Sequence, residues 1–255
     1  MENAQISTQS LLIASSLIFI TIFFSYWQKL DLEKDTIIGV IRAVIQLIVV
    51  GYVLKYVFDL DDILFTCAIV VFMMVNAAYN TKKRGKGIKN AFWISLLGIF
   101  VGETITILVL LLSGAIEFKA YQVIPISGMI ISNSMVAISL CYRNMLVNFK
   151  DRRDEIETKL ALGSDLLFAS KDIIRDTMKT GMLPSIDSAK TLGIVSLPGM
   201  MTGLILAGTD PLQAIKYQLM VTFMLLSTTS IASLIVCYLA YRTFYNDRAQ
   251  VVDLK

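Results

Sequence analysis

The chain of 255 residues has no histidine, three cysteines and four prolines, and charged residues make up only 17% of it. Without imidazole there is no Ser-His-Asp or Cys-His nucleophile, no HExxH zinc site and no histidine proton relay. Cys67, Cys141 and Cys237 each lie singly in apolar stretches, so neither a disulfide framework nor a cysteine metal cluster is expected. No GxxxxGK[ST] phosphate loop occurs, and Gly85-Lys86-Gly87 is too short to cradle phosphate. A net charge of +3, with the basic residues scattered among apolar runs, excludes a nucleic-acid binder. What fills the sequence instead is apolar surface: 56% hydrophobic residues and a mean hydropathy of +0.68. Soluble domains run at about 45–50% apolar and about 25% charged. The excess does not fit inside one water-soluble core, so the chain reads as a membrane protein.

A bilayer core about 30 Å thick is crossed by roughly 20 apolar helical residues. Seven stretches approach that length: Thr8–Trp27, Thr36–Tyr56, Ile63–Tyr79, Ala91–Leu112, Tyr121–Val147, Thr191–Ala207 and Tyr217–Tyr241. The first lacks a basic leader and a small-residue cleavage site, so it is not read as a signal peptide. Counted over alternate connections, Lys and Arg sum to eighteen on one side and three on the other. Arg42 and Arg143 lie near span ends on the basic side, where they can snorkel. The positive-inside rule then puts the N-terminus outside and the C-terminus in the cytoplasm. The expected fold is all-α, with about seven transmembrane helices in the cytoplasmic (inner) membrane. It forms one permease domain over residues 1–255, with a cytoplasmic two-helix loop at about 148–190.

Within that loop, residues 151–162 suit a helix, with Glu155 and Lys159 at i,i+4. Gly163 is a natural stop and Ser164 a natural N-cap for a second helix. The second helix is expected to run through Leu166, Leu167, Phe168, Ile173 and Ile174 as far as Gly181. Its apolar residues need a cover, either the chain's own membrane domain or a docked cytoplasmic subunit.

Inside the spans, Glu103 is the only acidic residue far from an end. A carboxylate there costs several kcal/mol unless it meets water, a partner or a cation. It either locks helices together or faces cargo or a proton. Gly98 and Gly102 before it form a GxxxG face suited to close helix contact. Pro198-Gly199 should break the sixth span, and Met200 and Met201 follow within a second GxxxG that ends at Gly203. Pro125 to Met129, followed by Asn133, is a looser echo of this pattern. Broken helices at membrane depth line protein or a water-filled cavity. Glu103, Met129, Asn133, Pro198, Gly199, Met200 and Met201 are therefore candidate pathway residues. Glu103, Met200 and Met201 among them offer metal donors, since methionine suits soft ions and carboxylate harder ones. Methionine is equally ordinary packing material.

The Glu157–Gly163 segment has the Glu-to-Gly spacing of the "EAA" loop of ABC-transporter permeases, with Thr158 and Lys159 where the alanines stand. Leu160 to Ser164, Leu183 to Lys190, Ser196 to Gly203 and Ala207 to Pro211 together resemble the FetB permease family. That family is the membrane half of a bacterial iron-export ABC system, with plant relatives in aluminium tolerance. The resemblance covers the whole chain. It implies a non-enzymatic permease working as a homodimer with a separate ATPase subunit that holds ATP-Mg, and no cofactor on this chain. It also implies that residues 157–163 couple the two subunits. Ile156, Leu160 and Leu162 would supply an apolar face for the ATPase cleft, Glu157 with Arg152 or Arg153 a polar anchor, and Gly163 a sharp turn. The competing expectation is a stand-alone secondary transporter in which Glu103 carries the coupling ion or proton.

Overall fold

The computed structural model describes residues 8–60 and 62–252, without the side chains of Thr8, Leu12 and Asp59. The N-terminal tail and Lys255 lie outside the described residues. Ten α-helices follow one another: α1 (Thr8–Ser15), α2 (Leu17–Trp27), α3 (Glu33–Leu60), α4 (Ile63–Arg84) and α5 (Ala91–Leu112), then α6 (Ala120–Asp151), α7 (Arg153–Ala161), α8 (Leu166–Thr191), α9 (Gly199–Leu206) and α10 (Pro211–Ala240), with a 3-10 turn at Tyr241–Phe244. No sheet occurs among the described residues; two isolated bridges, Leu192 with Ser196 and Tyr245 with Val251, close local turns. Six segments are long and apolar enough to cross a membrane: Gln9–Trp27, Glu33–Phe58, Ile63–Arg84, Ala91–Leu112, Ala120–Asp151 and Pro211–Phe244. The chain is an all-α polytopic membrane protein.

The expected sixth span is where the structure differs. Residues 191–207 form no single helix. The chain leaves α8 at Thr191 and turns through Gly193, whose φ is +76°, before α9 begins at Gly199. Pro198 stands just ahead of α9 and caps it, its carbonyl accepting from the Thr202 N–H at 3.0 Å. The break therefore occupies residues 192–198, not the middle of a helix. α8 also runs on past its expected end, through Gly181 and Pro184 to Thr191. Gly181 persists in the helix for a packing reason. A Cβ there would overlap the Cys141 Sγ and come within 2.8 Å of Ser233 Oγ, so only glycine lets α8 touch α6 and α10 this closely. Pro125 likewise sits inside an unbroken α6.

The described residues group into two compact units where the sequence reads as one domain: residues to Leu60 with Leu206–Gly208, and the remainder. In the first, Ser25 ties α2 to α3, donating to Glu33 Oε1 at 2.7 Å and accepting from the Leu32 N–H at 3.2 Å. In the second, α5 packs on α10 through the expected glycine face. Gly98 lies against Val236 and Gly102 against Thr228, and Thr106 and Thr228 share a 2.8 Å hydroxyl bond. Tyr142 of α6 is fully buried, bonded to Ser95 Oγ at 2.8 Å and donating to the Ala91 carbonyl at 3.0 Å. Where α6 and α10 end, Phe149 stacks on Phe244 at 4.0 Å and Tyr245 bonds Ser170 at 2.5 Å. Together with Ile156 and Val251 they close one end of the unit.

Candidate translocation cleft and coupling helix

A cleft of about 310 Å³ opens between α6, α8, the 192–198 break and α10. Asn133 of α6, Ser185 and Ser188 of α8, Ser196 and Pro198 of the break, and Gln218 and Thr222 of α10 line it. None of its lining residues carries a charge. Gln218 Oε1 is buried with no hydrogen-bond partner among the described residues. Unpaired buried amide oxygen is costly, so this wall is built for a ligand or water. Asn133 spends its amide N–H on the Met129 carbonyl at 2.8 Å. The cleft thus offers neutral oxygen and amide donors, the ligand type suited to a partly dehydrated cation or a polar solute.

Of the sequence-predicted pathway residues, Asn133 and Pro198 meet in this cleft. Glu103 does not. It lies on the other side of α6, in a separate and largely apolar cleft of about 400 Å³ between α4, α5 and α6. There it is 4% exposed beside Ser127, yet neither carboxylate oxygen nor the Ser127 hydroxyl makes a well-formed hydrogen bond among the described residues. Glu103 and Pro198 thus lie in two separate clefts flanking α6. Met129 and Met200 pack instead on an apolar cluster containing Leu110, Ile126, Ile130, Val221 and Met224. Met201 is partly buried, and Gly199 and Gly203 have open space where a side chain would be. The three tentative metal donors are not brought together, and no group of three or more acidic or cysteine side chains forms among the described residues.

The Arg153–Ala161 segment is a nine-residue helix with a well-formed stop. Gly163 has φ +89°, its N–H bonds the Leu160 carbonyl at 3.0 Å, and the Ser164 N–H reaches the Lys159 carbonyl at 3.1 Å. These are the paired bonds of a Schellman turn, which favours glycine at its left-handed position. The cap of α8 is Asp165, one residue after the expected Ser164, accepting from the Phe168 N–H at 2.6 Å. The expected apolar face divides. Ile156 is 1% exposed within the protein's own core and Leu160 packs at that core's edge, whereas Leu162 is 83% exposed. Beyond the hinge the same division holds: Ile173 and Ile174 are buried, and Phe168 stands 60% exposed. Leu162 and Phe168 thus flank the turn as uncovered apolar groups.

An ion-pair lattice fixes α7 on α8. Arg152 bonds Glu155 at 2.7 Å and Asp176 at 3.2 Å, and Lys159 bonds Glu155 at 2.7 Å and Asp172 at 3.0 Å. Hydrogen bonds from Arg152 and then Lys159 pull the Glu155 carboxyl down to about 2. The bond from Lys159 lowers Asp172 as well. Arg153 pairs with Glu157 at 2.7 Å and reaches the Val251 carbonyl at 3.4 Å. Both arginines and Glu157 thus have partners within the chain. Lys86, Lys150 and Arg153 line one groove with Phe244 and Val251, so basic residues of two connections of this unit gather at the α7 end. Gln218 and Thr222 escaped the sequence reading, since they gave no signal beyond polarity in an apolar run.

A family model described as "Uncharacterised protein family (UPF0014)" matches residues 8–245. Among curated proteins the chain is 52% identical to the "Probable iron export permease protein FetB" of Escherichia coli (strain K12), over 99% of this chain and 97% of that one. It is 38% identical to the "UPF0014 membrane protein YjkA" of Bacillus subtilis (strain 168), over 95% and 97%. The "Protein ALUMINUM SENSITIVE 3" of Arabidopsis thaliana is 30% identical, over 92% and 86%. No solved structure matches the chain.

Proposed function

The chain belongs to the UPF0014 family of multi-pass membrane proteins, and from that premise we propose that it is the permease subunit of an ABC exporter carrying iron or another metal ion out of the cytoplasm. A separate cytoplasmic ATPase subunit supplies ATP-Mg hydrolysis, and two copies of this chain form the membrane part. The basic α7 end faces the cytoplasm, as the positive-inside rule requires. Cargo passes along the neutral, oxygen-lined cleft between α6, α8 and α10, and the α7–α8 turn is seated in the ATPase. Similarity along nearly the whole length to a relative named as a probable iron export permease supports the cargo class.

The observation that carries the coupling role is the turn itself. A helix closed by a glycine-dependent Schellman motif presents Leu162 and Phe168 uncovered, with Leu167 partly so, while Ile156, Ile173 and Ile174 are covered by the chain. An exposed apolar pair on an otherwise ion-paired surface marks a protein contact. Replacing Leu162 and Phe168 by Asp should abolish co-purification of the ATPase subunit and ATP-driven metal transport in vesicles, with membrane insertion unchanged. Normal binding and transport would place the partner elsewhere. The orphan carboxylate of Glu103 favours the competing reading of a stand-alone carrier, yet that reading leaves α7 without a task. ATP-independent transport lost in Glu103→Gln would establish it.

A further inference from the structure

The cleft of about 400 Å³ between α4, α5 and α6 holds polar atoms that the fold leaves unused. Glu103 and Ser127 both line it, and they are 4% and 0% exposed. Both Glu103 carboxylate oxygens and the Ser127 hydroxyl lack a well-formed hydrogen bond among the described residues. Native structures rarely leave such groups unused. Thr66, on the same wall, has spent its hydroxyl on the Asp62 carbonyl at 2.9 Å. No lysine or arginine lines the cleft, so its walls supply no counter-charge. Most of the remaining wall is apolar, formed by residues such as Val70, Ile107, Leu111 and Val123. The lining residues Val71, Phe100 and Leu108 are half exposed, so the mouth opens on the outer face of these helices. At about 1.5 Å of rise per residue, Glu103 lies roughly 18 Å from one end of α5 and roughly 14 Å from the other, which is mid-membrane depth.

We propose that this cleft binds a lipophilic primary amine in its ammonium form, with the ammonium on Glu103 and Ser127 and the apolar body along the walls. An ammonium carries three N–H donors and no acceptor. The cleft holds the complement, three unpaired acceptor oxygens on two buried side chains. A carboxylate at this depth needs water, a partner or a cation, and a charge-assisted bond to an ammonium supplies the cation without a hydration shell. A hard divalent metal fits these walls poorly, because such ions take six or more oxygen ligands, and no group of three acidic or cysteine side chains forms among the described residues. Lipid headgroups stay at the membrane surface, so the ligand is a small amine that partitions whole into the bilayer and enters through the apolar mouth. The site is separate from the cleft assigned to cargo and does not rest on that assignment.

Binding of tritiated phenylbutylamine to the full-length chain in lipid nanodiscs, read by scintillation proximity with empty nanodiscs subtracted, tests the site. The expected result is saturation at one amine per chain, displaced by unlabelled amine but not by phenylbutanol, which has nearly the same shape without the charge. Glu103→Gln should weaken binding by about tenfold or more, and Ser127→Ala several-fold, both with unaltered gel-filtration profiles. Cys67 lines the same cleft and is the exposed cysteine. Its alkylation by N-ethylmaleimide should therefore slow several-fold when the amine is present, in the unaltered chain and not in Glu103→Gln. Binding that does not saturate, or equal displacement by the alcohol, overturns the proposal in the unaltered chain, whether or not the variants fold. Undiminished binding in folded Glu103→Gln overturns it as well. So does displacement by micromolar manganese(II), which would make the cleft a metal site. Loss of transport in Asn133→Ala or Gln218→Ala bears on the cargo cleft alone, and amine binding on this site alone.

Discussion

Helices α3 and α6 are both long membrane-spanning segments, and α3 is the more apolar, yet they are built for opposite surroundings. None of the eighteen most apolar residues of α3 is buried, whereas 56% of the corresponding stretch of α6 is. In α3 large side chains such as Tyr52 and Leu47 stand uncovered by the described residues. The interior of α6 is made with small and polar groups instead: Ser127, Ser134, Ala137, Ser139 and Cys141. In a bilayer, lipid tails are as apolar as leucine, so close approach and hydrogen bonds hold helices together rather than hydrophobic burial. Apolar character marks where the chain crosses, and small polar residues mark where it packs.

The sharpest way to break this contrast is one substitution made twice. Gly181→Ala should destabilise the protein by about 1–3 kcal/mol, because the new methyl collides with Cys141, Ser233 and the Ala137 carbonyl. Gly51→Ala in α3 meets nothing within 4 Å and should stabilise the helix by up to about 1 kcal/mol. Thermal unfolding in detergent reads both, and equal signs would refute the contrast. Tyr142→Phe comes next. It removes one bond to Ser95 and one to the Ala91 carbonyl, which Ser95 Oγ still reaches at 2.7 Å, and should cost about 1 kcal/mol in the same assay, against no change for Tyr52→Phe.

The smallest effect lies outside the membrane. Glu155 has its folded pKa depressed from 4.5 to about 2, so its contribution is complete above pH 4.5 and is lost as pH falls through about 2. With the carboxylate 40% exposed, solvent screening holds that contribution to under about 1 kcal/mol. Amide exchange across residues 153–161 should accelerate over that acid window, and Glu155→Gln should remove the pH dependence. Acceleration unchanged in the variant would assign it to other carboxylates.

Much of this was legible in the sequence. The span from Ala91 to Leu112 coincides with α5, the Gly98–Gly102 face packs as its spacing implies, and Gly163 ends α7. These features are local, set by periodicity and by one residue's backbone preference. The sixth span was misread because hydropathy averages over the break at 192–198, and because Gly181 and Pro184 look like helix stops when tertiary packing carries the helix through both. The candidate site was legible only in pieces. Asn133 and Pro198 share a cleft, but which side of α6 faces which cleft depends on helix rotation, and that rotation is set by contacts between residues far apart in the chain.

Gly181 gives α8 a fulcrum. At about 1.5 Å of rise per residue, the arm from Leu166 to Gly181 is roughly 22 Å long and the arm from Gly181 to Thr191 roughly 15 Å. For as long as the helix stays straight through Pro184, the two ends swing in opposite directions in that ratio. Pushing the hinge end inward by about 3 Å then draws the Thr191 end outward by about 2 Å, and with it the break whose Ser196 and Pro198 form one wall of the cleft. The glycine contact that holds α8 in place would then tie the width of the cleft to the position of the opposite end.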